Sequence, residues 1–177
     1  MCGHVARRKN QLCLLQAFAA IAPQFSDWTL EFVGDGPLRT RLERAATELG
    51  LQERVVFHGA SRQVRPHYLA ASLLVVSSNY ESFGLVAVEA LMCNLPVVSF
   101  RHCLGVATVV RDGVDGLLVD VPQGQEMSEC LAKALGRVLA EPELLARLQE
   151  GAAGFNKAPY SGQAVYQIWD GLVSETH

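Results

Sequence analysis

The most constraining feature of the chain is residues 73–92, where an apolar run gives way to a polar turn and then to a second apolar segment. Residues 73–76 are all Leu or Val, which is typical of a strand buried on both faces of a parallel sheet. Residues 83–92 are small and apolar and predict a helix packed on that sheet. Ligands collect at the carboxyl ends of such strands, where the next helix presents unpaired N–H groups to an anion. The sequence therefore predicts a ligand crevice in this turn, with Gly84 allowing a close approach of the backbone.

The rest of the chain alternates between strand and helix patterns in the same way. Asn10 is placed to cap a first helix that ends before Pro23, and Gly50 to close the second. Further strands are predicted at residues 28–33, 55–58, 96–100 and 116–119, and further helices at residues 37–49, 64–70, 106–111, 127–140 and 143–153. This order predicts right-handed βαβ units and an α/β fold. We expect one Rossmann-like, doubly wound domain over residues 1–177, with about six parallel strands, helices on both faces and C-terminal helices.

Composition excludes several classes of protein. Half of the 177 residues are hydrophobic and the formal net charge is −3, so there is no electrostatic case for a nucleic-acid partner. No apolar run approaches the ~20 residues that span a bilayer, and we expect a cytoplasmic protein. The five cysteines are odd in number and form no Cys-x-x-Cys pair, which favours reduced thiols. The spacing of His58, His67, His102 and Cys103 matches no metal site, so no metal is predicted.

Two glutamates, Glu81 and Glu89, lie eight residues apart around Ser-Phe-Gly. This strand-loop-helix motif resembles the donor-binding half of the retaining GT-B glycosyltransferases of family 4 (glycosyl transferases group 1). Further segments resemble the strands and turns of that family in the same order, over residues 3 to about 121; they are residues 32–37, 55–59, 95–99 and 112–119. The resemblance implies metal-independent transfer of a hexose from a nucleotide sugar, UDP rather than GDP, to a glycan or lipid-linked acceptor in polysaccharide biosynthesis. It implies no cofactor, and a full-length enzyme at the cytoplasmic membrane surface.

The same resemblance assigns roles near the amino terminus. Residues 3–9 resemble the glycine-arginine loop and the lysine that hold the donor diphosphate, which gives Gly3 a donor-binding role and Lys9 a catalytic one. His4 stands where the family has arginine. Because an unperturbed histidine gains its charge near pH ~6.5, we expect nucleotide affinity to rise as the pH falls through the His4 titration. We expect Arg7 and Arg8 to lie in a solvated loop without a phosphate-binding role.

The glutamate motif receives the remaining roles. The resemblance implies that Glu81 lies near the transferred sugar and that Glu89 accepts hydrogen bonds from the ribose hydroxyls. The residues expected to bind the donor through the turn are Ser82, Phe83, Gly84 and Leu85. Ser82 is equally suited to cap the helix, and the helix dipole alone explains a carboxylate at Glu89. Two departures from the family pattern lie nearby, Asn94 in place of a glycine and Thr108 in place of an acidic residue.

Residues 163–174 predict a final helix with one apolar face, and GT-B enzymes lay their last helix on an N-terminal acceptor domain. We therefore expect this chain to be half of a larger enzyme that transfers little sugar alone, with the apolar face available for self-association. Two other functions remain open: the half-domain of a nucleotide-sugar epimerase and a non-catalytic assembly domain. A dinucleotide site is disfavoured because Arg39 stands where residues 34–39 would need a third glycine.

Overall fold

The computed structural model describes residues 9–160. Within this range, five parallel strands form a two-stranded sheet, β1-β2, and a three-stranded sheet in the order β3-β4-β5. The strands are β1 (Leu30–Val33), β2 (Val55–Gly59), β3 (Leu74–Val76), β4 (Val97–Phe100) and β5 (Gly116–Val119). Each strand is followed by a helix, which is why the pairs are parallel. The α/β fold with parallel strands is therefore confirmed, with five strands among the described residues where about six were expected for the whole chain.

The helices follow the predicted order closely. They are α1 (Gln11–Ile21), α2 (Arg39–Glu48), α3 (Arg65–Ala70), α4 (Leu85–Met92), α5 (Leu104–Ala107), α6 (Met127–Ala140) and α7 (Pro142–Ala153), with one-turn 3-10 helices at Ala22–Gln24 and Ala158–Tyr160. The helix predicted at residues 106–111 is wrong in its bounds, since α5 begins at Leu104 and ends at Ala107. Pro66 does not disturb α3, because it lies in the first turn, where no intrahelical N–H bond is lost.

Helices cover both faces of the sheets, and the strand residues divide between two apolar clusters. Val75 and Val98 pack with α1, α2 and α6, while Leu74 and Val97 pack with α3, α4 and α5 and with Ala152 of α7. Every residue of β3 and β4 is buried. The interpretation of residues 73–76 as a strand covered on both faces is thus confirmed, and it sets the β3-α4 turn at one edge of a rigid core.

Asparagines mark one helix start and one helix end, and the structure corrects the first. Asn10 precedes α1 in a left-handed conformation with φ 49° and makes no capping bond. Its amide instead donates to Asn79 Oδ1 at 3.3 Å, so a tertiary partner replaces the local one. Asn94 has φ 61° just after α4, which explains the glycine usual there, and Lys157 Nζ donates to its Oδ1 at 2.7 Å.

No helix among residues 9–160 is both long enough and apolar enough to cross a bilayer. The helix expected at residues 163–174, with its apolar face, lies outside the described residues.

Candidate functional site

The candidate site begins where β3 ends, at two consecutive serines that are fully buried. Ser77 Oγ donates to the backbone carbonyl of Lys9 at 2.9 Å, and Ser78 Oγ donates to Glu81 Oε1 at 2.6 Å. The first serine thus fixes the backbone that carries the lysine, and the second fixes the carboxylate. Sequence analysis missed both serines, although polar residues directly after a buried strand are themselves a signal for this edge of a sheet.

Lys9 and Glu81 lie together although 72 positions separate them in sequence. Lys9 Nζ is 2.6 Å from Glu81 Oε1, and the two side chains are only 20% and 16% exposed. Within the described residues, both hydrogen bonds to this carboxylate go to Oε1, so Oε2 is left to accept from another group. An ammonium has three N–H donors, so Lys9 can hold Glu81 and an anion at the same time.

The turn after Glu81 presents the N-terminus of α4. Gly84 is the N-cap residue, with φ 71°, and no side chain among residues 9–160 caps the helix, so Ser82 is not its cap. Ser82, Phe83 and Leu85 are all exposed at this edge. The first amides of an uncapped helix are good donors to an anion, which leaves this terminus available to a negatively charged ligand.

The packing of the fold supplies a reason for glycine at position 84 besides the expected approach of the backbone to a ligand. A Cβ atom here would lie 2.6 Å from the carbonyl oxygen of Gly105 in α5, so the close approach is to this neighbouring helix. Gly105 is equally constrained, because its own Cβ would lie 2.1 Å from the carbonyl oxygen of Glu81. The two glycines pack α5 directly beneath the turn and fix where Glu81 sits.

Glu89 lies in the second turn of α4, where a buried tyrosine orients it. Tyr68 of α3 is 3% exposed, and its hydroxyl donates to Glu89 Oε2 at 2.8 Å. The carboxylate itself is exposed, so it retains acceptor capacity toward a ligand. A single solvated carboxylate that merely complements a helix dipole needs no such partner.

A buried thiol lies beside the turn. Burial raises the pKa of Cys103, the residue before α5, and the Glu81 carboxylate adds to the effect. Because the thiol stays protonated at neutral pH, Cys103 is not placed to act as a nucleophile.

The remaining predicted residues fall into two groups. Gly3 and His4 lie outside the described residues, so their contacts with Lys9 and the turn stay predictions. His58 and His67, which sequence spacing left unrelated, are neighbours, with ring centroids 4.6 Å apart. Residues on adjacent elements meet without any regular spacing in sequence, which is why this pair was missed.

Three features define the C-terminal domain of a GT-B protein here. They are parallel strands covered on both faces, a lysine beside a carboxylate at a strand end, and an open helix N-terminus. Residues 1–154 match the family model described as glycosyl transferases group 1, and the chain belongs to that family.

Curated relatives and solved structures agree with this assignment. The chain is 31% identical over 175 residues to alpha-D-kanosaminyltransferase of Streptomyces kanamyceticus. The alignment covers 98% of this chain and 44% of that protein. Anabaena Alr3699/HepE, solved with UDP and glucose, is 28% identical with a TM-score of 0.82, over 98% of this chain and 48% of that one. The C-terminal domain of LpcC from Francisella tularensis has the same fold, with 20% identity, a TM-score of 0.78, and coverage of 92% and 84%. The chain spans less than half the length of the curated relatives it matches.

Proposed function

We propose that this chain is the donor-binding half of a retaining, family 4 glycosyltransferase that transfers a hexose from a nucleotide sugar to a glycan or lipid-linked acceptor. The observation that carries the proposal is the 2.6 Å contact between Lys9 Nζ and Glu81 Oε1 at the carboxyl end of β3. A cation for the diphosphate and an acceptor for the sugar hydroxyls are thereby held side by side at the crevice that such a sheet provides.

The proposed chemistry depends on stabilising a leaving group. Breaking the bond between the anomeric carbon and the diphosphate oxygen leaves negative charge on the diphosphate. Lys9 supplies a full positive charge, and the uncapped N-terminus of α4 adds roughly half of one. Fixed donors of this kind typically contribute a hundredfold or more in rate, so transfer needs neither a metal ion nor a cofactor.

Glu81 binds the hexose of the donor and Glu89 binds its ribose. Glu81 Oε2 is oriented by the bonds that hold Oε1, and it accepts from a hydroxyl of the hexose. Glu89, held by Tyr68, accepts from the ribose hydroxyls. The amides of Phe83, Gly84 and Leu85, with the hydroxyl of Ser82, face the phosphates and sugar between them.

UDP is the proposed nucleotide, in keeping with the UDP found in Anabaena HepE. The acceptor would bind mainly to an N-terminal domain, so residues 1–177 alone should bind UDP weakly and transfer little sugar. The setting we propose is polysaccharide assembly on the cytoplasmic face of the membrane.

The test is calorimetric titration of UDP and GDP into the purified chain and its Lys9→Met variant. Methionine keeps the aliphatic stem, and the backbone bond from Ser77 to residue 9 does not depend on the side chain. A hydrogen bond to a charged group contributes about 1.5–3 kcal/mol, so UDP affinity should fall roughly tenfold to a hundredfold. Wild type should bind UDP more tightly than GDP.

Lys157→Met is the matched control, because Lys157 bonds Asn94 at the opposite end of α4. Equal UDP affinity in the Lys9 variant and wild type would contradict the proposal. Binding of neither nucleotide would favour the assembly domain, and an epimerised sugar formed without an acceptor would favour the epimerase.

A further inference from the structure

A second cluster of functional side chains lies outside the donor site. It consists of Glu31 on β1, His58 on β2 and His67 on α3. His58 Nε2 is 2.9 Å from Glu31 Oε2, and His67 Nδ1 is 4.0 Å from the same oxygen. Each side chain offers one ligand atom, and all three atoms lie within 4.8 Å of one another. Two imidazoles and a carboxylate thus converge on one point.

An irregularity in the sheet brings His58 there. Glu31 pairs with Val56 and Phe32 with Phe57, but Val33 pairs with Gly59, so β2 carries one extra residue at His58. Bulges of this kind re-aim a side chain and are frequent at functional sites.

Helix α3 then brings His67 over the paired strands. Because Pro66 stands in its first turn, where its missing N–H breaks no intrahelical bond, the histidine follows within that turn. The helix also carries the buried Tyr68, whose packing against the core fixes the position of the adjacent histidine.

We propose that Glu31, His58 and His67 form a binding site for Zn²⁺ on the β1-β2 surface, separate from the donor site. Two histidines and one carboxylate are a ligand set that Zn²⁺ favours, at about 2.0–2.2 Å from each ligand atom. Tetrahedral coordination at that distance sets the ligand atoms roughly 3.3 Å apart. The two spacings to Glu31, 2.9 and 4.0 Å, lie on either side of that value, and the ligand atoms of all three residues lie within 4.8 Å of one another, so side-chain rotations would have to draw them together to complete the site.

Exposure and charge support occupancy by a cation. The side chains of Glu31, His58 and His67 are 48%, 31% and 26% exposed, which leaves an entry path and room for a water molecule as fourth ligand. A simple ion pair would account for the position of one histidine beside one carboxylate. It does not explain why nitrogens of two rings converge on a single carboxylate oxygen, whereas a shared cation does.

The site would join three elements that are distant in sequence. Glu31 and His67 also border a cavity of about 440 Å³, which is lined by residues of β1, α3, α1, β3 and α6. A metal ion that binds only the folded chain stabilises it by mass action, and here it would tie α3 to the strands beside this cavity.

The experiment is calorimetric titration of Zn²⁺ into untagged protein stripped with a chelator, paired with thermal unfolding. Wild type should bind one equivalent and show a higher Tm with Zn²⁺. His58→Ala and His67→Ala should each weaken binding at least tenfold, and the double variant should lose the Tm shift. Both replaced positions are partly exposed, and circular dichroism verifies that each variant folds.

His102→Ala is the matched control. This histidine is exposed and stacks on Phe100, away from the cluster, so its replacement should leave Zn²⁺ affinity unchanged. Lack of saturable binding to wild type, or binding retained by the double variant, would overturn the proposal. Substituting Co²⁺ provides a second readout, because a sulfur-to-metal charge-transfer band would assign the binding to cysteines instead.

Discussion

At the residue scale, the candidate site depends on carboxylates that neighbouring side chains orient. Ser78 and Lys9 hold Oε1 of Glu81, and Tyr68 holds Oε2 of Glu89. Such bonds fix the carboxylates before a ligand arrives, so little side-chain entropy is lost on binding. The contribution of each orienting group can therefore be measured apart from that of the carboxylate.

Tyr68→Phe tests how much the orienting hydroxyl at Glu89 contributes to nucleotide binding. The variant keeps the buried ring and removes only the hydroxyl that donates to Oε2. If Glu89 binds ribose, UDP affinity measured by calorimetry should fall about threefold to tenfold, the equivalent of one hydrogen bond of about 0.5–1.5 kcal/mol. Thr47→Val is the control and should have no effect, because the hydroxyl it removes donates to the carbonyl of Glu43 within α2. Identical UDP affinities for wild type and Tyr68→Phe would argue against a role for Tyr68 in positioning Glu89.

At the element scale, the contact between α5 and the start of α4 determines the shape of the turn. Two glycines allow the backbones to meet, since a Cβ at either position would overlap a carbonyl oxygen. The turn is thus defined by the packing of two short helices as well as by its own sequence.

Gly84→Ala should be severely destabilising. Alanine here must adopt φ 71° and also place its Cβ 2.6 Å from the Gly105 carbonyl oxygen, so we expect a loss above about 3 kcal/mol in the free energy of unfolding. Urea denaturation followed by circular dichroism measures the loss. Gly124→Ala is the control, because Gly124 has φ 83° with open space around it, and it should lose only about 1 kcal/mol. Equal losses would show that the contact with α5 tolerates a methyl group.

At the scale of the whole molecule, the packing of α1 against α6 closes one face of the sheets and buries Cys13. Burial, with Cys130 and Glu126 nearby, raises the pKa of the Cys13 thiol from 9.0 to about 11. The folded state therefore holds this proton more tightly than the unfolded chain does. The resulting stabilisation is complete below pH 9 and is lost as the pH rises through about 11.

The corresponding prediction concerns stability at alkaline pH. The free energy of unfolding, from urea titrations at intervals between pH 8 and pH 11, should fall more steeply in wild type than in Cys13→Ala, which lacks the titrating thiol. Other groups titrate in the same window, but they are common to both proteins and cancel in the difference. Parallel profiles would mean that Cys13 ionises equally well in the folded and unfolded chain.

Local patterns predicted the elements because strand and helix periodicities are properties of short segments. The predicted helix at residues 127–140 coincides with α6, and β3 lies within the apolar run that begins at residue 73. What the local patterns did not predict were distant contacts: Asn10 bonds Asn79 and does not cap α1, and Gly84 packs against Gly105.

The sequence by itself determined the α/β class, the order of the elements and the turn that carries Glu81 and Glu89, because periodicity and turn chemistry are local. Only the tertiary structure decided which side chains meet: Lys9 with Glu81, Tyr68 with Glu89, and Glu31 with His58 and His67. Those contacts arise from strand register, a bulge and helix packing. These features depend on elements far apart in the chain, and no local pattern of residues encodes them.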